Sequence, residues 1–174
     1  MEDLDPQRCT ATYAEACLED LRWLGLHWTE GPDVGGPFAP YCQSERTAHY
    51  LEAWRRLRDC AAVYPCARSR RELREAGEPT PPHLLDPDEQ DTEPRYPTAW
   101  RPPPGTGADA ATPDGLNWRF RVPEGRVMTF HDATYGNVSF TAGVDFGDFT
   151  IWRRDGVPAY ELAVVVDDAA MHIT

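Results

Sequence analysis

The chain has 174 residues, with 17 basic against 29 acidic side chains, a net charge of −12 and 41% hydrophobic residues. This is the length of one domain with room for a small insertion, and its core is lean. No segment approaches the ~18 apolar residues of a membrane-spanning helix, the start MEDLDPQR is too acidic for a signal or transit peptide, and the acidity excludes loose coating of nucleic acid. A soluble, cytoplasmic protein without membrane contact is the expectation. Every basic residue is arginine, so a local arginine-lined surface for nucleic acid stays open.

Residues 10–25 predict an amphipathic helix, because Ala14, Cys17, Leu18, Leu21 and Leu24 recur at helical spacing and Gly25 suits its end. Residues 29–42, rich in Pro and Gly, predict a loop. A second helix is expected from Ser44, as N-cap, to Cys60, with a buried stripe of Ala48, Leu51, Trp54, Leu57 and Ala61. A short strand follows at Ala62–Pro65, then a charged helix over 68–76. Residues 77–115 hold ten prolines and many acids and read as a long loop. Beyond it the period becomes two, with strands at Asn117–Val122, Arg126–Phe130, Gly136–Phe140 and Phe149–Arg153. The run ELAVVV (161–166) reads as a strand buried on both faces of a parallel sheet. Asp167 and Asp168 would then sit at its carboxyl end, where open α/β sheets place ligands.

Composition alone names no reaction: there is no P-loop, no GxSxG and no HExxH. The histidines are scattered. The five cysteines (Cys9, Cys17, Cys42, Cys60 and Cys66) form no CxxC or CxC pair, which argues against a disulfide framework or a cysteine-based zinc site. They are expected as reduced thiols, mostly buried. Seven arginines lie between Arg55 and Glu75 against three acids. They could meet RNA phosphates or form an ordinary solvated face.

Three stretches are more specific: EDLDPQR (2–8), LEDLRWLGLHWTEGPDVGGPFAPYCQSER (18–46) and GDFTIWRRDGVPAYELAVVVDDAAMHIT (147–174). In this order they resemble the glutamyl-tRNA synthetase family of class I. The middle, VYPCARSRRELREA and PRYPTAWRP, is similar to its glutamyl-queuosine tRNA(Asp) synthetase branch. The resemblance implies an α/β fold: an incomplete Rossmann-like catalytic domain with a small α+β acceptor-binding subdomain inserted. It divides the chain into 1–65 and 147–174, the catalytic parts, and 66–146, the insertion, whose Pro-rich loop is 77–115. It implies ATP, with Mg as its counter-ion, glutamate and tRNA, with tRNA(Asp) the candidate acceptor, and a monomer. Glu2 matches the acid that holds the amino acid, and a carboxylate suits its α-ammonium group. Tyr160 matches the tyrosine lining the glutamate pocket. Gln43, Ser44 and Arg46 match a mainly structural segment, and Asp167 and Asp168 the VVDD near the active site.

The departures are equally definite. Cys66 and Tyr96 match two zinc-ligand positions of the queuosine branch, but the other two hold Arg68 and Trp100, so zinc is not expected. Glu161 stands where a neutral side chain is usual, and its charge would oppose a glutamate ligand. The family's HIGH motif would precede this stretch and KMSKS follow it, so the chain resembles an internal fragment of a synthetase. The alternative reading is a non-catalytic tRNA-binding or degenerate relative without synthetase activity.

Overall fold

The structure is a computed structural model that describes residues 1–77 and 94–173. Part of the 77–115 loop therefore lies outside the described residues. Four helices and five strands are described: α1 (Ala11–Trp23), α2 (Thr47–Asp59), β1 (Val63–Cys66), α3 (Arg70–Ala76), β2 (Asn117–Phe120), β3 (Val127–Asp132), β4 (Gly136–Thr141), β5 (Phe149–Trp152) and α4 (Tyr160–Met171).

β1, β2 and β5 form a three-stranded antiparallel sheet in the order β1-β2-β5. Pro65 lacks the N–H a central strand needs, and β1 is an edge. Alternation then divides the sheet into two unlike faces. On one, Val63, Trp118 and Trp152 pack with Tyr50 and Trp54 of α2, Ile151 of β5 and Leu162 and Ala163 of α4. Trp54 and Trp118 meet edge to face, with ring centroids 4.8 Å apart. On the other, Tyr64 and Cys66 pack with Leu73 of α3 and with Tyr96 and Trp100. Gly107 lies against this sheet with φ +84; a Cβ there would come within 2.7 Å of Trp118 and 2.8 Å of Pro65. A small residue with access to positive φ is required.

The run 161–166 is not a strand: it lies inside α4. Leu162, Ala163 and Asp167 are buried, Val166 is half-buried, and Val165 is 65% exposed. That period is helical, and a strand covered on both faces would have buried Val165 as well. Three consecutive valines favour strand only weakly, and packing against α2 overrides them. Asp167 and Asp168 accordingly sit mid-helix rather than beyond a strand end. Ser44 is not an N-cap: Gln43–Glu45 form a 3-10 turn, Arg46 stands at the cap position of α2, and the Ser44 hydroxyl donates to Asp3 at 2.6 Å. Within α2 the fully buried residues are Tyr50 and Trp54, while Ala48 is exposed. No residue of α1 is fully buried. β3 and β4 pair as a separate two-stranded hairpin. Among the described residues, no helix is long and apolar enough to cross a membrane.

Candidate functional site

A cavity of about 540 Å³ opens between the first nine residues, the sheet and the start of α4. Its floor follows from the register of the sheet. Trp118 and Phe120 turn into the apolar core, so Asn117 and Arg119 of β2 turn the other way, and Thr150 pairs with Arg119. All three polar residues line the cavity. Arg119 is 6% exposed; its Nη1 donates to the Asp148 carbonyl at 2.9 Å and its guanidinium lies 4.4 Å from the Tyr96 ring centroid.

Glu2 and Tyr160, from opposite ends of the chain, both line this cavity. The backbone around Glu2 is tied down on each side. The Met1 amino group donates to the Tyr41 carbonyl at 2.7 Å, the Gln43 amide donates to the Met1 carbonyl at 3.0 Å, and Asp3 accepts from the Ser44 amide at 2.9 Å. Tyr160 opens α4, directly after Ala159, whose amide donates to Ile151 of β5 at 2.9 Å. It is 57% exposed, so it is no core tyrosine. Glu161 lines the same wall. The site thus carries carboxylates from Glu2, Asp5 and Glu161 and guanidiniums from Arg8, Arg68, Arg119 and Arg153. Such a mixture suits a zwitterionic ligand bearing further negative charge.

Behind the cavity, Asp167 ties three elements together. Its carboxylate accepts from Arg46 Nε at 2.7 Å, Tyr50 Oη at 2.8 Å and Gln43 Nε2 at 3.2 Å. Arg46 also donates to the Phe38 and Pro40 carbonyls. Burial and the Asp167 carboxylate push the Tyr50 phenol upward, so it stays protonated and donates. Asp167 therefore has a buried structural role, and Asp168 is exposed. A second buried carboxylate, Asp148, accepts from Tyr64 Oη at 2.5 Å, Arg101 Nε at 2.7 Å and the Val122 amide at 2.8 Å.

The zinc-ligand positions are otherwise engaged. Cys66 Sγ and Tyr96 Oη lie 3.4 Å apart in a hydrogen bond. The Arg68 guanidinium lies over the Trp100 ring, 4.8 Å from its centroid. Neither a guanidinium nor an indole N–H offers a lone pair to a metal, and tetrahedral zinc needs four donors. These residues do not fit zinc. Of the five free cysteines only Cys66 is buried; Cys17 and Cys60 are exposed, contrary to the expectation of mostly buried thiols. The arginines from 55 onward are largely engaged within their own helices, in Arg55–Glu52, Arg56–Glu52 and Arg71–Glu75 pairs.

Sequence reasoning named Glu2 and Tyr160 but missed Arg119, Asn117 and Thr150. The alternation that identified β2 also contained the signal, since polar residues on its second face must meet water or a ligand.

Residues 1–174 match the family model described as tRNA synthetases class I (E and Q), catalytic domain. The chain is 44% identical over 177 residues to the glutamyl-Q tRNA(Asp) synthetase of Nitratidesulfovibrio vulgaris, covering 100% of this chain and 52% of that protein. It is 37% identical over 177 residues to the glutamate–tRNA ligase of Symbiobacterium thermophilum, covering 99% of this chain and 35% of the relative. The chain therefore spans about half the length of the first of these relatives and about a third of the second. Among solved structures, the glutamate tRNA ligase of Elizabethkingia meningosepticum, in complex with its amino acid, matches with a TM-score of 0.71 at 24% identity, over 100% of this chain and 35% of that one. The fold is the α/β architecture of part of a class I catalytic domain, and the chain belongs to the class I tRNA synthetases of the glutamate and glutamine type.

Proposed function

We propose that the cavity binds glutamate and that the protein activates it with ATP, Mg serving as counter-ion, for transfer to tRNA. One observation carries this reading: Glu2 and Tyr160 line one cavity although the whole chain separates them. In this reading the Glu2 carboxylate pairs with the α-ammonium group, the Tyr160 hydroxyl orients the amino acid, and Arg119 in the floor offers a guanidinium to a substrate carboxylate. Glu161 opposes the bound charge. Activation of this kind rests on positioning and on charge stabilisation rather than on a proton-transfer residue.

The glutamyl-queuosine branch is the finer assignment, with tRNA(Asp) as acceptor, supported by 44% identity to a relative of that name. We assign 66–146 to the acceptor-binding insertion and 1–65 and 147–174 to the catalytic part. The β3–β4 hairpin, which among the described residues pairs with no other strand, supports an insertion. A monomer in the cytosol completes the reading, and the five free cysteines fit a reducing compartment.

Calorimetric titration of glutamate into this chain tests the site. Glutamate is expected to bind, Glu2→Gln to weaken it about tenfold or more, since a charge-assisted hydrogen bond is lost, and Glu161→Gln to tighten it. No binding, or equal binding by Glu2→Gln, overturns the assignment. Neither HIGH nor KMSKS occurs in the 174 residues. Glutamate-dependent ATP–pyrophosphate exchange is therefore expected only when segments bearing both motifs are joined to the chain. Silence of that longer protein would favour the non-catalytic alternative.

A further inference from the structure

Cys66, Arg68, Tyr96 and Trp100 stand at positions that match zinc ligands of the queuosine branch, and as a set they do not fit zinc. The last three belong instead to a chain of ring contacts. The Arg68 guanidinium lies over the Trp100 ring, 4.8 Å from its centroid. Trp100 meets Tyr96 edge to face, with centroids 5.5 Å apart. The Arg119 guanidinium lies over the Tyr96 ring at 4.4 Å. The order is arginine, indole, phenol, arginine. It joins three segments that are separate in the chain: the residues just after β1, the segment 96–100 and strand β2. Both terminal arginines line the amino-acid cavity. Tyr64 flanks the inner ring, its centroid 6.2 Å from that of Tyr96, and its hydroxyl donates to the Asp148 carboxylate.

We propose that this stack takes the place of the metal, with Tyr96 and Trp100 as positioning residues that hold Arg119 and Arg68 toward the cavity. The inference rests on reading that cavity as the glutamate site. A long arginine side chain loses much rotamer freedom when a ligand has to fix it. A guanidinium that is already aimed binds without that loss. Attraction to a ring face draws on the cation's charge and occupies none of its N–H donors. One donor of Arg119, Nη1, goes to the Asp148 carbonyl at 2.9 Å, so ring and carbonyl fix the group from two directions. The two ends of the stack differ in strength. Tyr96 and Arg119 are 4% and 6% exposed, and a cation over a ring is held more firmly where water is excluded. Arg68 is 50% exposed and leans also on Glu72 at 2.9 Å, so its ring contact is the weaker one. The Tyr96 hydroxyl meets only the Cys66 thiol, at 3.4 Å, and sulfur is a weak partner. The ring face of Tyr96, not its hydroxyl, therefore carries the role.

Glutamate titration of the full chain, read together with the arginine side-chain resonances of labelled protein, tests this. The Arg119 resonance is assigned by its disappearance in Arg119→Lys. In the parent it is expected upfield, shifted by the ring current of Tyr96, and it is expected to move again when glutamate binds. Tyr96→Leu keeps an apolar side chain but has no ring face. It is expected to lose the upfield shift and to bind glutamate about tenfold more weakly, the order of a desolvated cation–ring contact. Tyr96→Phe keeps the face and is expected to retain both the shift and the affinity. Trp100→Leu, at a half-buried position, is expected to weaken binding about two- to threefold. Parental affinity in folded Tyr96→Leu, or an equal loss in Tyr96→Phe, overturns the proposal, and parental affinity in Trp100→Leu overturns its outer half. If Tyr96→Leu does not fold, the parent decides, because an Arg119 resonance without the upfield shift overturns the stack. One tightly bound zinc per chain, or glutamate affinity lost on dialysis against a chelator, overturns it as well. An upfield Arg119 resonance in a chain that ignores glutamate supports the stack and sinks the glutamate assignment alone.

Discussion

The two sheets of this protein are built from similar residues and serve different ends. In β1-β2-β5, one face is packed under α2 and α4 and the other meets Tyr96, Trp100 and the cavity. In the β3–β4 hairpin, Met128, Phe130, Val138 and Phe140 share one face by register, yet Met128 is 42% and Phe130 51% exposed. The hairpin is held by its own cross-strand contacts: stacked Phe130 and Phe140 rings 5.9 Å apart, Thr129–Ser139 and His131–Asn137 hydrogen bonds, and Asp132 capping the turn at the Thr134 and Tyr135 amides. An isolated two-stranded sheet is marginal. Alternation therefore specifies a strand in both places, but only burial makes a strand able to hold a site rigidly.

Substitutions in the packed sheet should have the largest effects and should reach the cavity. Trp118→Ala removes a side chain that is 2% exposed and touches Trp54. It is expected to cost about 3–5 kcal/mol in denaturant unfolding and to abolish glutamate binding with the fold. Asp167→Ala leaves the Arg46 guanidinium, 3% exposed, without its counter-charge. About 3 kcal/mol is expected, part of the penalty being offset by the carbonyls of Phe38 and Pro40. If Asp167→Ala unfolds at the parental denaturant concentration, the buried pair contributes nothing and the clamp is misread.

All five strands were legible because alternation is a local signal. β1 came within one residue of its bounds, and β3 and β4 within two. α4 was misread because four small apolar residues in a row satisfy strand and helix alike. What decided it was Asp167, whose partners Gln43, Arg46 and Tyr50 lie in another part of the chain and reach it only from one side of a helix. The same distance hid the buried node at Asp148, held by Tyr64 and Arg101. Glu2 and Tyr160 were legible through resemblance alone, since neither has a local pattern around it. Thiol burial was not legible at all: composition makes cysteine a small hydrophobe, while position put Cys17 on the exposed side of α1 and Cys60 at the exposed C-terminal end of α2.

In the hairpin, Phe130→Ala should have a smaller and strictly local effect. Loss of one cross-strand aromatic pair costs about 0.5–1 kcal/mol. Amide exchange is expected to rise across β3 and β4 while β2 and β5 stay protected and glutamate affinity is unchanged. Spread of that exchange into β2 would show that the two sheets are coupled, and the comparison would fail.

The smallest effect should come from acid, and it should fall beside the packed sheet. Glu72 closes a capping box at the start of α3, accepting from the Ser69 amide at 2.8 Å and its hydroxyl at 2.9 Å, and pairs with Arg68. The Ser69 amide, Arg68 and the Ser69 hydroxyl together hold its carboxyl down at about 2, against an ordinary 4.5. A lowered value means that the folded state binds fewer protons than the unfolded one. The contribution is therefore complete above about pH 4.5 and is lost as pH falls toward 2. Because Glu72 is exposed, solvent screens the pair and the effect on global stability stays small. The Ser69 amide resonance is the direct reporter, with a midpoint near pH 2 expected in the parent and no transition in Glu72→Gln. A midpoint at 4.5 would mean that the box is open in solution. Arg68 would then be steadied on Trp100 by stacking alone.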